Sequence, residues 1–271
     1  MSNIFNFKRF TSYLRHDLTG AWQNAGASMI SIACMPVWFF VIYEMFCLVF
    51  DGHFGYMSHG AGVAAYVLSF LLATVFFPVQ IYGRVTDKRP GSNWLLLPAS
   101  AFEKFLSMLL VLCVVLPLAW LAAITACDLL LSLTGTYTGT YDGPVIASIF
   151  DGLDTALAEF RTENATLAIA SHSAIYLSWC ADILFFALGA IFFRKNKIVY
   201  TFLSAMGIGI LITLIGGIIA TSGNFELNIE PEDLSEDSLM RTLNLIIYAL
   251  YVVEFALLDL GIYFRIKTLK H

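Results

Sequence analysis

Six stretches of the chain, roughly 27–50, 60–83, 103–126, 168–193, 198–220 and 242–264, are almost unbroken runs of apolar residues. A helix needs about 20 such residues to cross about 30 Å of hydrocarbon, where only helices and closed barrels satisfy their own backbone. Barrel strands alternate apolar and polar residues over segments of about ten, and these runs do not alternate. The sequence therefore predicts an all-α, integral membrane six-helix bundle, one transmembrane domain spanning residues 1–271. Composition agrees, since 59% of the 271 residues are hydrophobic and 13% charged. Soluble domains carry about 25% charged residues, and a chain this short cannot hide so much apolar surface and keep a polar shell. That excludes a soluble enzyme, a nucleic-acid binder and a disordered scaffold. The polar and amphipathic stretch before the first run, some 26 residues, argues against a cleavable signal peptide.

Charge orients the bundle. Six spans leave both termini on one side, and that side holds 13 of the 15 Lys and Arg residues, all but Arg161 and Arg241. They fall in the N-terminal segment (Lys8, Arg9, Arg15), in the two-three loop (Arg84, Lys88, Arg89, Lys104), in the four-five turn and in the C-terminal tail. The positive-inside rule makes this face cytoplasmic, so the chain is multi-pass in the cell (inner) membrane with both termini inside. The other face collects acids, Asp51, Asp128 and a group around Glu230 among them. The five cysteines lie far apart with no CxxC pair, which suggests neither a disulfide framework nor a zinc site. No residues imply a cofactor or metal.

Two amphipathic segments flank the spans. On a helix, Phe7, Phe10, Leu14, Leu18 and Trp22 share one face, while Lys8 and Arg9 fall off it and Arg15 sits at its edge. Such a segment anchors to membrane lipid or docks another subunit. In the long outer loop 127–167, Pro144 opens a stretch in which Val145, Ile149, Leu153, Leu157 and Phe160 recur at helical spacing. This outer helix serves as a lid on the bundle or a cargo contact.

Four acids lie within spans: Glu44, Asp182, Glu254 and Asp259. Glu44 and Asp259 are close enough to span ends to reach interfacial water. Asp182 and Glu254 sit near the midplane, where a carboxylate costs about 3 kcal/mol on the insertion scale. Both should face protein, as protonated hydrogen-bonded carboxyls or as a proton relay or cargo contact. Pro36, Pro78 and Pro117 lie inside spans and should kink them. GxxxxGK[ST], HExxH and GxSxG are all missing, so no phosphate cradle, zinc-protease motif or nucleophile elbow is present.

The cytoplasmic loop after span two carries the most specific signal. It turns at Pro90-Gly91, runs through Trp94-Leu95-Leu96-Leu97 and reaches Pro98-Ala99-Ser100. Ser100 with Glu103 three residues on spells a capping box for a helix continuing into span three. An apolar patch before a capped turn suits docking against another protein, or a helix entrance packed on the bundle.

Leu96-Leu97-Pro98-Ala99-Ser100-Ala101-Phe102-Glu103-Lys104-Phe105 resembles the leucine-proline-x-serine segment after the second span of ABC-2-type transporter permeases. The resemblance implies a six-span subunit that forms half of a dimeric pathway, with a separate ATP-binding subunit docked on an N-terminal interface helix and on this loop. Carried over, residues 7–22 become the interface helix and 94–104 the coupling segment. Candidate contacts for the ATPase are then Phe10, Leu14, Arg15, Trp94, Leu97, Pro98, Ser100, Phe102 and Glu103. Ala101 and Phe102 stand where the family has an arginine-containing pair. The largest outer loop lies between spans three and four, whereas better-known exporters elaborate the region between five and six. The expectation is an exporter permease rather than an enzyme, its cargo unspecified. A membrane scaffold or sensor acting through its outer loop, and a proton-coupled carrier using Asp182 and Glu254, are the alternatives.

Overall fold

The computed structural model describes residues 5–87, 91, 94, 96–138, 141, 144–163, 172–221 and 236–269. The described chain is helical: α1 (Phe7–Ala33), α2 (Met35–Phe50), α3 (His59–Tyr82) with a 3-10 turn (Gly83–Thr86), α4 (Ala101–Leu110), a π-helical turn (Val111–Val115), α5 (Leu116–Thr138), α6 (Val145–Glu163), α7 (His172–Phe192), α8 (Lys197–Thr221) and α9 (Glu236–Thr268). Among the described residues, five helical runs are long and apolar enough to cross a bilayer: His59–Thr86, Ala101–Thr134, Ser173–Phe192, Lys197–Ile215 and Leu245–Thr268. α1 and α2, bent by 43° against each other, make a sixth if the pair counts as one span.

Proline explains the bend. Pro36 has no N–H, so the Ile32 carbonyl loses the donor four residues on. Ser69 Oγ from α3 donates to that carbonyl at 2.7 Å. Pro117 likewise orphans the Cys113 carbonyl; the chain widens into the π-helical turn there, and the Tyr176 hydroxyl donates to the freed oxygen. α3 carries Pro78 without a break.

The N-terminal segment differs from its expected form. Residues 7–22 do not lie apart from the first span: α1 runs unbroken to Ala33 and packs among α3, α4 and α5. Its packed stripe is therefore rotated. Phe10 and Tyr13 are buried, Leu14 and Leu18 rest on the core, and Phe7 and Trp22 of the expected face stay exposed. At the junction with α2, Cys34 Sγ lies 3.4 Å from Cys127 Sγ, both thiols free.

α7 is the central strut. Cys180, Ile183, Leu184, Ala187 and Ile191 are buried along it, against α3 on one side and α9 on the other. Phe77 and Leu112 complete the core at zero exposure. The start of α4 meets both the start of α1, through Arg9 and Glu103, and the end of α9, through Phe105 and Tyr263 (ring centroids 5.8 Å apart). The beginning of α1 and the close of α9 thus share one end of the bundle, the basic end. There α7 reverses into α8 through Asn196, whose φ of 44° a short polar side chain tolerates. Lys197 Nζ then donates to Asp87 at 3.0 Å.

At the opposite end the outer helix forms where Pro144 predicts it, and one acid changes place. Asp128 does not face water in the loop; it is 2% exposed. Its Oδ1 accepts from Tyr66 Oη (2.6 Å), Tyr141 Oη (2.9 Å) and Val145 N (3.2 Å), and its Oδ2 from Ile146 N (2.9 Å). Asp128 therefore caps the N-terminus of α6 from inside the bundle. Burial holds the Tyr141 phenol above its ordinary range, keeping it a donor. Glu44 also turns inward, taking the Gly55 N–H at 3.2 Å rather than reaching for water. Residues 164–171 and 222–235, with most of the third outer loop, lie outside the described residues.

Candidate functional site

The start of α4 is built as the sequence reads. Glu103 N donates to Ser100 Oγ at 3.2 Å and Ser100 N to Glu103 Oε2 at 2.8 Å, closing the capping box. The same carboxylate serves α1. Arg9 grips it with Nε to Oε2 (2.8 Å) and Nη2 to Oε1 (2.7 Å), and Asn6 N donates to Oε1 at 3.0 Å. Asn6 meanwhile caps α1 by accepting from Lys8 N and Arg9 N. The positive ends of two helix dipoles thus converge on one carboxylate with no exposed surface.

Below this junction Asp17 of α1 takes two hydroxyls on Oδ2, from Tyr82 (2.9 Å) and Ser107 (2.6 Å), tying α1 to α3 and α4. Lys104 is 5% exposed; its ammonium sits 4.5 Å over the Trp94 ring and donates to the Trp94 carbonyl at 2.8 Å. Unlike an exposed cation of the basic face, Lys104 pins the loop to the helix. A cleft of about 390 Å³ opens beside it, with Tyr13, Asp17, Arg84, Trp94 and Leu97 in its walls.

The sequence-selected residues separate into a frame and a surface. Phe10 and Glu103 are buried and hold the frame; Leu14, Trp94, Leu97 and Ser100 are half-buried; Arg15, Pro98 and Phe102 face outward. Phe5, missed from sequence, packs edge-on to Phe102 (6.2 Å) and against Phe10 (5.7 Å). Phe5, Phe7, Leu96 and Phe102, from the two segments that meet at the junction, are all exposed apolar side chains, Leu96 at 78% exposure. Asp17 was also missed, although it lies one helical turn from Tyr13 and two from Phe10, on the stripe that packs.

The two midplane acids lie elsewhere. Asp182 on α7 and Glu254 on α9 are close enough for their charges to interact, and both are exposed on the monomer surface. Asp259, also on α9, is half-buried, with Oδ1 lacking a hydrogen-bond partner among the described residues.

The fold defines a multi-pass, all-helical membrane protein. Comparison with known protein families, curated proteins and solved structures finds no match to this chain.

Proposed function

We propose that the chain is the membrane-spanning permease subunit of an ABC-type exporter, working as a dimer with a separate ATP-binding subunit on its basic, cytoplasmic face. The carrying observation is the junction of α1 and α4 through Glu103. The two segments that the resemblance nominates for the ATPase, 94 residues apart from Arg9 to Glu103, meet in one ion pair, and both carry exposed apolar side chains. A monomeric membrane protein gains nothing from Phe7, Leu96 and Phe102 in water; a docked partner covers them. ATP binding and hydrolysis belong to that partner, since this chain has no P-loop.

In this reading the exposed apolar side chains receive the stroke. Force on Leu96 and Phe102 enters α4, and α1 moves with it because Arg9 and Asn6 hold Glu103. The π-helical turn at 111–115 is where α4 can change direction relative to α5. Cargo would pass between the two copies as the bundles rock. The deciding experiment is purification from native membranes followed by detection of a co-purifying ATPase. Leu96→Glu with Phe102→Glu should cut recovery of the ATPase at least about tenfold, as loss of a central apolar anchor does. Failure of the unaltered chain to bring down any ATPase, or labelling that finds residues 96–102 outside the cell, overturns the proposal.

A further inference from the structure

Helical spacing puts Asp182 on one face of α7 with Phe185, Gly189 and Phe192, and Glu254 on one face of α9 with Leu258, Gly261 and Arg265. The basic-end parts of these faces (Phe185, Gly189 and Phe192; Gly261 and Arg265) line an open cleft of about 510 Å³ between α7, α8 and α9, with Ile208 and Phe264 among its other apolar residues, and Asp182 and Glu254 follow further along the same faces. Depth follows from the basic end, where Arg265 Nε donates to the Ile191 carbonyl at 3.0 Å. Glu254 lies about 16 Å above Arg265 and Asp182 about 13 Å above Ile191, at 1.5 Å per residue. Half the hydrocarbon thickness is about 15 Å. Both acids therefore stand at the bilayer centre and open outward.

Lipid tails fit the apolar walls but offer nothing to a carboxyl. The chain supplies no cation at that depth: Lys104, in the first turn of the third run, is the sole Lys or Arg in the six apolar runs. We infer that the α7–α8–α9 face is where two copies of this chain meet, closing the cleft and covering Asp182 and Glu254. Two copies inserted the same way are related by a two-fold axis along the membrane normal, so each residue meets its counterparts at its own depth. The two acids share a depth and are brought against the same two acids, where a carboxyl and a carboxylate hold one proton between them and need no cation. Two of its three helices are also bare. Only 6% of the α8 and α9 spans is buried within the monomer, against 44% to 50% for the α3, α4–α5 and α7 spans. The inference deepens the dimeric permease reading, and rests on it for the pairing, by assigning the surface.

The test is photocrosslinking in native membranes with p-benzoylphenylalanine at Leu257, one turn from Glu254 and 63% exposed, or at Ile42 on α2, 66% exposed. A covalent dimer from position 257 and none from 42 is the expected result. Adducts at 257 with lipid alone or with a different protein, or dimers from 42 only, overturn the interface. A second arm co-expresses the unaltered chain with a differently tagged Glu254→Lys copy. Mixed pairs should outnumber Lys–Lys pairs by about tenfold or more, because close opposite charges at an interface favour pairing by at least that much. The two-to-one ratio that random pairing of equally expressed copies gives would count against contact at Glu254. ATPase co-purification is scored in the same membranes. Its loss with crosslinking intact sinks the transporter reading and spares the interface; the reverse sinks the interface alone.

Discussion

Around α1, α3, α4 and α5 the chain turns its polar side chains onto one another: Arg9 and Asn6 onto Glu103, Tyr82 and Ser107 onto Asp17, Tyr66 and Tyr141 onto Asp128. Across α8, α9 and the adjoining face of α7 it does the opposite, leaving apolar surface bare and Asp182 and Glu254 facing out. Both regions contain carboxyls that lipid will not tolerate. The first has donors in reach and forms a closed frame; for the second no donor to either acid is found among the described residues. On the proposed reading, this unequal self-sufficiency gives the subunit a fixed part to receive force and an open part to meet partners.

The largest test of the closed region is Asp128. Asp128→Ala removes the acceptor for two buried hydroxyls and two backbone N–H groups at once. Each unsatisfied donor costs about 1–3 kcal/mol before relaxation, so the loss should be roughly 3–5 kcal/mol. Thermal unfolding of the detergent-solubilised protein would read this, with faster proteolysis near α6 because its N-terminus has lost its cap. A loss under about 1 kcal/mol would mean that the cluster is not tight, and the contrast with α8 and α9 would fail.

Asp128 also illustrates where sequence reading falls short. The hydropathy of the third run fades near residue 126, which placed Asp128 in an outer loop. Yet Leu129, Leu130 and Leu131 follow it, and the span continues to Thr134. The acid sits inside because Tyr66 and Tyr141, 62 and 13 residues away, point donors at it. Local grammar was legible: Ser100 with Glu103 spells a capping box, and Pro144 opens α6. The Arg9–Glu103 pair was not, since nothing between residues 9 and 103 fixes how the two helix starts approach. The depth of Asp182 and Glu254 could be counted along the helices, whereas which way they face depends on how α8 and α9 pack.

The next effect in size concerns the junction. Glu103→Ala removes the N-cap partner of α4 and the anchor of α1 together, an expected loss of about 2 kcal/mol. Glu103→Gln keeps an oxygen for the backbone donors but loses the charge, so it should fall between. Arg9→Ala should cost less than either, because its guanidinium reaches solvent. The closed region also predicts coupling: with Glu103→Ala in place, adding Arg9→Ala should cost almost nothing more. Independent, additive losses in the same unfolding assay would show that α1 and α4 are not held through this carboxylate.

The smallest effects come from two glycines that sample the two regions directly. A Cβ on Gly189, where α7 crosses α8, would run into the Thr201 side chain, which is fixed by its own hydrogen bond to the Lys197 carbonyl (2.7 Å). Gly189→Ala should therefore destabilise by about 1–2 kcal/mol through overpacking. A Cβ on Gly207, two turns further along α8, meets no atom within 4 Å. In the monomer Gly207→Ala should stabilise α8 by a few tenths to about 1 kcal/mol, the helix preference of alanine over glycine. The sign is the informative part. A second helix backbone lying close against Gly207 would be pushed away by the methyl group, and the same substitution would then weaken the assembled protein while still strengthening dispersed single copies. Unfolding measured in mild detergent that preserves oligomers, and again in one that disperses them, separates the two cases at a position where the monomer alone predicts gain.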